Sequence, residues 1–336
     1  MLKNASKTRA RVVSGRIVAI LFFFFSFLLI LANPRAGTDL SILSLNQTCE
    51  RSPAIPAEYG EVIFRCNETS PNQIFIVGMS HRDTLTRSNG SQTSRVQAEV
   101  YKIGDWLIHN EGLQLLLPEG FFKSKPAGIK EVSTRVKTEL KAKTSCSDLA
   151  DFKRLQQRLS DDVTFVNAEM LLNQSHPMRL KQVEDWALYE SVNNILLKLV
   201  SNRASCDDSL LPELDYLQDR RVAAMLQRIP EIVDDEFRQK AIKEKKAIFT
   251  IGMMHVHTII QYLNNQKIAV HAPASASVKS RGYTSDLKLL KENFGISVIL
   301  PRTLAANQEI LKINHLDRIV ARPTRDSSGA SPSPLH

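Results

Sequence analysis

Two distant segments of this chain share one pattern. Gln73-Ile-Phe-Ile-Val-Gly78-Met-Ser-His81 and Ala247-Ile-Phe-Thr-Ile-Gly252-Met-Met-His255 each run through five mostly apolar residues and stop at Gly-Met-x-His. Short apolar runs rich in β-branched and aromatic residues read as buried strands. With 13 Gly and 8 His in 336 residues, about 0.3 Gly-x-x-His matches are expected by chance, and two are present. The shared context is stronger than the count, because both motifs end a buried-type strand, where α/β proteins place their ligands. Glycine at such a position permits a tight turn and close approach to the backbone.

A third segment has the same design. Leu115-Leu-Leu-Pro-Glu119-Gly-Phe-Phe is an apolar strand that ends in a carboxylate. Two imidazoles and a carboxylate at strand ends match the ligand set of hydrolytic zinc, manganese or cobalt sites, so His81, Glu119 and His255 are the candidate metal ligands. A metal with an open position would lower the pKa of a bound water and polarise a carbonyl. The plainer alternatives stay open: histidines that cap helices, and a Glu119 that caps a helix beginning at Phe121. His257 forms His-x-His with His255 and is an alternative or supporting ligand, whereas His109, His176, His271 and His315 have no comparable context.

Asp219-Arg220-Arg221 is the remaining candidate. At helical spacing Leu214, Leu217, Ala224 and Met225 share a face and Arg221 falls among them. An arginine on an apolar face needs a partner or a cavity, and its fork suits a substrate carboxylate or a developing oxyanion. The alternative is a stem laid across the core with its head in solvent.

Around these motifs the chain reads as one α/β domain over residues 59–322, with a mixed sheet, flanking helices and a central helical insertion at about 123–246. Strands are expected at 61–65 and 73–77, joined as a hairpin, and at 112–117, 162–166, 247–251, 268–271 and 296–300. Helices are expected at 91–110, 126–160, 178–200, 210–229 and 231–246, the last two separated at Pro230. Residues 33–58 read as a linker, and the Ser/Pro-rich tail 323–336 as disordered.

The N-terminus sets the compartment. Residues 1–16 carry Lys3, Lys7, Arg9, Arg11 and Arg16 with no acidic residue, and residues 17–32 are uncharged and contain five Phe. That order is the signature of a signal-anchor or signal peptide inserted with its N-terminus in the cytoplasm. No small-x-small site is evident after the run, which favours an uncleaved anchor; cleavage would leave a secreted or periplasmic domain. The net charge of +9 falls to +4 once the five basic residues ahead of the run are set aside. With no aromatic-plus-basic signature either, nucleic acid is excluded as a partner. Cys49, Cys66, Cys146 and Cys206 form no Cys-x-x-Cys, and an even count in an exported chain fits two disulfides, Cys49–Cys66 and Cys146–Cys206 giving the shortest loops.

Paired strand-ending Gly-x-x-His motifs, a strand-ending Glu after the first, and a helical block with an arginine motif between them resemble one superfamily. It contains the TraB/PrgY pheromone-shutdown proteins, GumN-like proteins, Tiki metalloproteases, erythromycin esterases and ChaN-like haem-binding proteins. The resemblance spans roughly residues 61–302. It implies a metal-dependent, peptidase-like hydrolase tethered at a membrane and acting on a peptide or protein, with His81, Glu119 and His255 in the family site. Asp219-Arg220-Arg221 is similar to the family's Glu-Arg-Asn, which implies Arg220 as its arginine, although Arg replaces Asn in third place. The second family glutamate has Asp83, Glu99 and Glu169 as candidates. The other branches imply an alternative, a non-catalytic protein that binds haem or a peptide signal.

Overall fold

The computed structural model describes residues 55–81, 92–123, 150–161, 166–201, 210–271 and 283–320. It is an α/β fold, with a mixed six-stranded sheet flanked by helices. The strands are β1 (Gly60–Cys66), β2 (Gln73–Met79), β3 (Leu115–Pro118), β4 (Arg179–Leu180), β5 (Lys246–Gly252) and β8 (Gly295–Pro301), in the order β1-β8-β2-β5-β3-β4. A separate antiparallel pair, β6 (Lys267–Val270) and β7 (Tyr283–Asp286), takes the residues expected to continue the main sheet at 268–271.

The burial of each strand follows from its composition. β2, β5 and β8 are buried at nearly every position, as the apolar runs require of central strands. β1 is half-buried and forms an edge, antiparallel to β8. β3 stops after four residues at Pro118, which cannot donate to a neighbouring strand. β2 is parallel to β5 and β8, and β3 is parallel to β5. The ends of β2, β5 and β3 therefore emerge side by side at one edge of the sheet.

Helices α1 (Thr93–Glu111) and α6 (Met253–Asn265) pack on these central strands. Gly78 makes the α6 contact feasible: a Cβ there would lie 2.7 Å from Val256 Cγ2 and 2.9 Å from Leu300 Cδ2. Between β3 and β5 come α2 (Phe152–Ser160), α3 (Ala168–Ser175), α4 (Trp186–Ser201) and α5 (Leu210–Arg238). After β7 follow α7 (Lys288–Asn293), and beyond β8 the short α8 (Arg302–Ala305), α9 (Gln308–Ile313) and α10 (Asp317–Val320).

Several local expectations are corrected. Residues 61–65 and 73–77 form strands but not a hairpin, because β8 lies between β1 and β2 and pairs with both. The helix expected over 178–200 begins only at Trp186, since Arg179–Leu180 pairs with Leu115–Leu116 as the outer strand of the sheet. The insertion is thus interrupted by β4, which belongs to the main sheet. Pro230 does not divide two helices: α5 runs through it and ends at Arg238. Proline there forgoes one backbone bond, and the buried residues on both sides of it outweigh that loss. Val166 is buried but not in a strand, and residues 162–165 lie outside the described residues, as do all of 126–149.

None of the described helices is long and apolar enough to cross a membrane; residues 1–16, 17–32, most of the 33–58 linker and the 323–336 tail lie outside the described residues. Cys66 is a free, half-buried thiol and so does not form the bridge expected with Cys49; Cys49, Cys146 and Cys206 lie outside the described residues.

Candidate active site

Register explains why distant motifs meet. Met79 is opposite Gly252 and Pro118 is opposite Thr250, so the residues that follow β2, β5 and β3 leave the sheet together. The Glu119 backbone N–H donates to the Thr250 carbonyl at 3.0 Å, which carries the pairing one residue past Pro118. Gly252 is the N-cap of α6, which places His255 in the first turn of that helix, facing the end of β3.

Glu119 is the centre of the cluster. Its Oε2 accepts from the Gly252 backbone N–H at 2.6 Å and lies 3.0 Å from His81 Nε2. Its Oε1 accepts from Arg221 Nη2 at 2.6 Å, with His255 Nε2 at 3.6 Å, too long for a hydrogen bond but close enough for electrostatic attraction. The carboxylate also sits at the N-terminus of α6, where the helix dipole favours an anion. A side chain at Gly252 would crowd the cluster: a Cβ there would lie 3.1 Å from His81 Nε2 and 3.3 Å from Glu119 Oε2.

Arg221 projects from α5 and is 6 % exposed. Its Nε is hydrogen-bonded to Glu184 Oε1, its Nη1 donates to Gln218 Oε1 at 3.2 Å, and its guanidinium lies 5.3 Å from the centre of the Tyr189 ring. With its nitrogens engaged in this way it holds Glu119 in place, and the expected role on a substrate oxyanion falls to it less well. Arg220, the expected family arginine, points elsewhere and lies against the Tyr216 and Tyr283 rings at 5.6 and 5.7 Å. Helical phase is the reason, since the buried face of α5 contains Leu214, Arg221, Val222 and Met225. His257 is likewise separate. Residues 255–265 are helical, so alternate residues do not share a face, and the His257 ring stacks near His315 at 5.6 Å.

Of the three candidates for a second glutamate, Asp83 lies outside the described residues. Glu99 is buried against α8, accepting from Thr303 N–H at 2.8 Å and Thr303 Oγ1 at 2.6 Å. Glu169, in the first turn of α3, is the one beside the cluster. Its Oε1 accepts from Thr250 Oγ1 at 3.1 Å, while its buried Oε2 has no hydrogen-bond partner among the described residues.

The two carboxyls of the cluster are pushed in opposite directions. Burial raises the Glu169 pKa and outweighs the attraction of His81. Burial also opposes ionisation of Glu119, but the Arg221 charge and the two histidines overcome it and hold this carboxyl well below its ordinary value. Partial desolvation of the ring works against a proton on His81 too, yet the Glu119 hydrogen bond and charge raise its pKa. Glu119 is thus held as an anion, and burial makes Glu169 the weaker acid of the two.

The metal set expected of His81, Glu119 and His255 does not fit this geometry. Both Glu119 oxygens are occupied by strong donors, one of them a guanidinium, and the two imidazoles sit on different oxygens. Among the described residues, a ligand atom from each of three residues gathers within 4.8 Å only at Asp105, His109 and His176. Those histidines had no distinguishing context in the sequence.

Glu184 was also invisible to sequence reasoning. It is fully buried, bonds Arg221 through Oε1 and accepts the Gly120 N–H through Oε2 at 2.7 Å. Its neighbours Lys181, Gln182 and Asp185 are polar, so nothing in the local sequence marks it as buried. Beside it Phe122, Trp186 and Tyr189 form a half-buried aromatic group, with ring centres 4.8 to 5.7 Å apart. Comparison with family models, curated proteins and solved structures returned no match.

Proposed function

We propose that the chain is a hydrolase of the kind its motifs resemble, the TraB/GumN–Tiki–erythromycin esterase group, in which His81 takes a proton from water. One observation carries this reading: a 43 %-exposed imidazole held at 3.0 Å by a carboxylate that is itself only 8 % exposed. An ionised Glu119 only accepts, so His81 Nε2 carries the proton of that bond. The Nδ1 lone pair is then free to act as a base.

In the proposed reaction a water gives a proton to His81 Nδ1 as its oxygen bonds a substrate carbonyl carbon. Glu119, fixed by Arg221 and Gly252, stabilises the imidazolium that forms. The carbon–heteroatom bond then breaks, and the leaving group takes a proton from the Glu169 carboxyl. Two carboxyls whose environments drive them apart suit these opposite roles. The aromatic group Phe122–Trp186–Tyr189 favours a peptide or ester with an apolar substituent, and residues 17–32 would deliver the domain to the outer face of a membrane.

The test is hydrolysis of fluorogenic peptide and ester libraries by the full-length protein. His81→Ala should lower kcat/KM by roughly 10²–10⁴-fold with the fold intact. Undiminished activity in that variant would overturn the assignment.

A further inference from the structure

We infer that Asp105, His109 and His176 form a second site, independent of the Glu119 cluster, that binds a divalent transition metal of the zinc class and pins α3 to α1. The three residues come from two helices. Asp105 and His109 are one turn apart on α1, and His176 is the C-cap of α3. His176 Nε2 lies 2.9 Å from Asp105 Oδ1, and His109 Nδ1 lies 3.5 Å from the same oxygen. The two imidazoles meet edge to face with ring centres 5.3 Å apart.

Two imidazoles and one carboxylate are a donor set suited to zinc or cobalt, with a fourth position left for water. Asp105 and His176 are largely buried, at 28 and 14 % exposure, while His109 at 64 % leaves a path from solvent. His109 Nδ1 also lies 2.8 Å from the Asp105 carbonyl, so in the metal-free state it donates there. Shifting each ring proton to the other nitrogen turns the atom that faces Asp105 into a ligand, with no net proton released. His109 is in the last turn of α1 and His176 ends α3, so the partial negative charge of two helix C-termini favours a cation here.

The position also gives the metal something to hold. Gln97, on α1, donates to the Ser80 carbonyl at 2.7 Å and accepts from the Ala168 N–H at 2.8 Å. It therefore ties α1 to the residue before His81 and to the start of α3, next to Glu169. Asp105 is eight residues further along α1, about 12 Å by helical rise. A metal there would lock the far end of the helix pair whose near end frames the candidate active site.

The experiment uses full-length protein stripped with a chelator and dialysed. Zinc at a hundredfold excess over its Kd should raise Tm by roughly 4–5 °C. Cobalt(II) should give the visible ligand-field bands of a tetrahedral site. Both responses should persist in His81→Ala and vanish in His109→Ala and His176→Ala. His109→Ala should keep the metal-free Tm, because its hydrogen bond is to its own helix. No metal-dependent rise in the unaltered protein, or one that survives either substitution at the site, would overturn the proposal; in that case the cluster is an ordinary ion pair between helices.

Discussion

Arg221 in α5 and Glu119 beyond β3 are 102 residues apart in sequence, yet they meet at 2.6 Å with both side chains less than a tenth exposed. Glu184 completes the ion network on the other side of the guanidinium. Removing the cation leaves two buried carboxylates with only His81 and the Gly252 and Gly120 N–H groups as partners, whereas the intact network adds little net stability over an apolar one. Arg221→Met should therefore lower unfolding free energy by roughly 3–5 kcal/mol in urea denaturation. Adding Glu184→Gln to that variant should recover part of the loss. Strictly additive losses would show that the residues do not act as one network.

The pH dependence follows from His81. It faces Glu119 directly, with Glu169 and Arg221 in electrostatic range, and its pKa is raised because the Glu119 interactions overcome partial desolvation of the ring. A base must be unprotonated, so kcat/KM should rise with pH through a midpoint above the ordinary histidine value of about 6.5. Glu119→Gln removes the negative charge that favours the imidazolium, so the same limb should move to lower pH as the rate falls. A limb that stays in place would mean that another group sets it.

Gly252→Ala tests the crowding at the α6 N-terminus. The added methyl would lie 3.1 Å from His81 Nε2 and 3.3 Å from Glu119 Oε2, so this hydrogen bond has to open or shift. The shift needed is a few tenths of an ångström, less than the displacement of about 1 Å that can cost on the order of 10²-fold in rate. The expected outcome is a measurable fall in kcat, smaller than that, with a change in Tm of only a few degrees. Wild-type kcat would show that the His81–Glu119 bond is not required.

Much of this arrangement could be read in the sequence, for a definite reason. β2, β3 and β5 are continuous apolar runs, and the residue that ends each run is displayed wherever the strands happen to be parallel neighbours. What failed was non-local. Nothing in Glu61–Arg65 and Gln73–Val77 reveals that β8 lies between them, because that pairing is set by residues far along the chain. Leu180 and Val183 keep a helical spacing with Ala187, yet Leu180 completes the sheet edge beside Leu116. Arg221 was recognised as anomalous on its helix face, but its partner Glu184 lies in an irregular segment with no periodicity to mark it. His109 gains meaning only from His176, which the packing of α3 on α1 brings to it.

Glu99 and Glu169 give the last prediction, because both are buried carboxyls with raised pKa values and only one adjoins His81. For Glu99 burial raises the pKa and outweighs Thr303 and Arg95. A raised folded-state value means a contribution to stability that is complete below the unfolded pKa and is lost as pH rises through the folded one. Glu99→Gln removes that loss: its amide oxygen still accepts the Thr303 N–H, and its NH₂ donates to the Thr303 hydroxyl, which turns to accept, while the 3.4 Å bond from the exposed Arg95 Nε is given up. Stability of this variant should vary less between pH 4 and pH 8 than that of the unaltered protein (about the range through which a raised carboxyl titrates), and activity should be kept. Glu169→Gln retains the bond from Thr250 but has no proton for a leaving group, so kcat should fall by roughly 10²-fold or more. Equal activity losses in the two variants would place Glu169 among structural carboxyls and leave His81 without its acid partner.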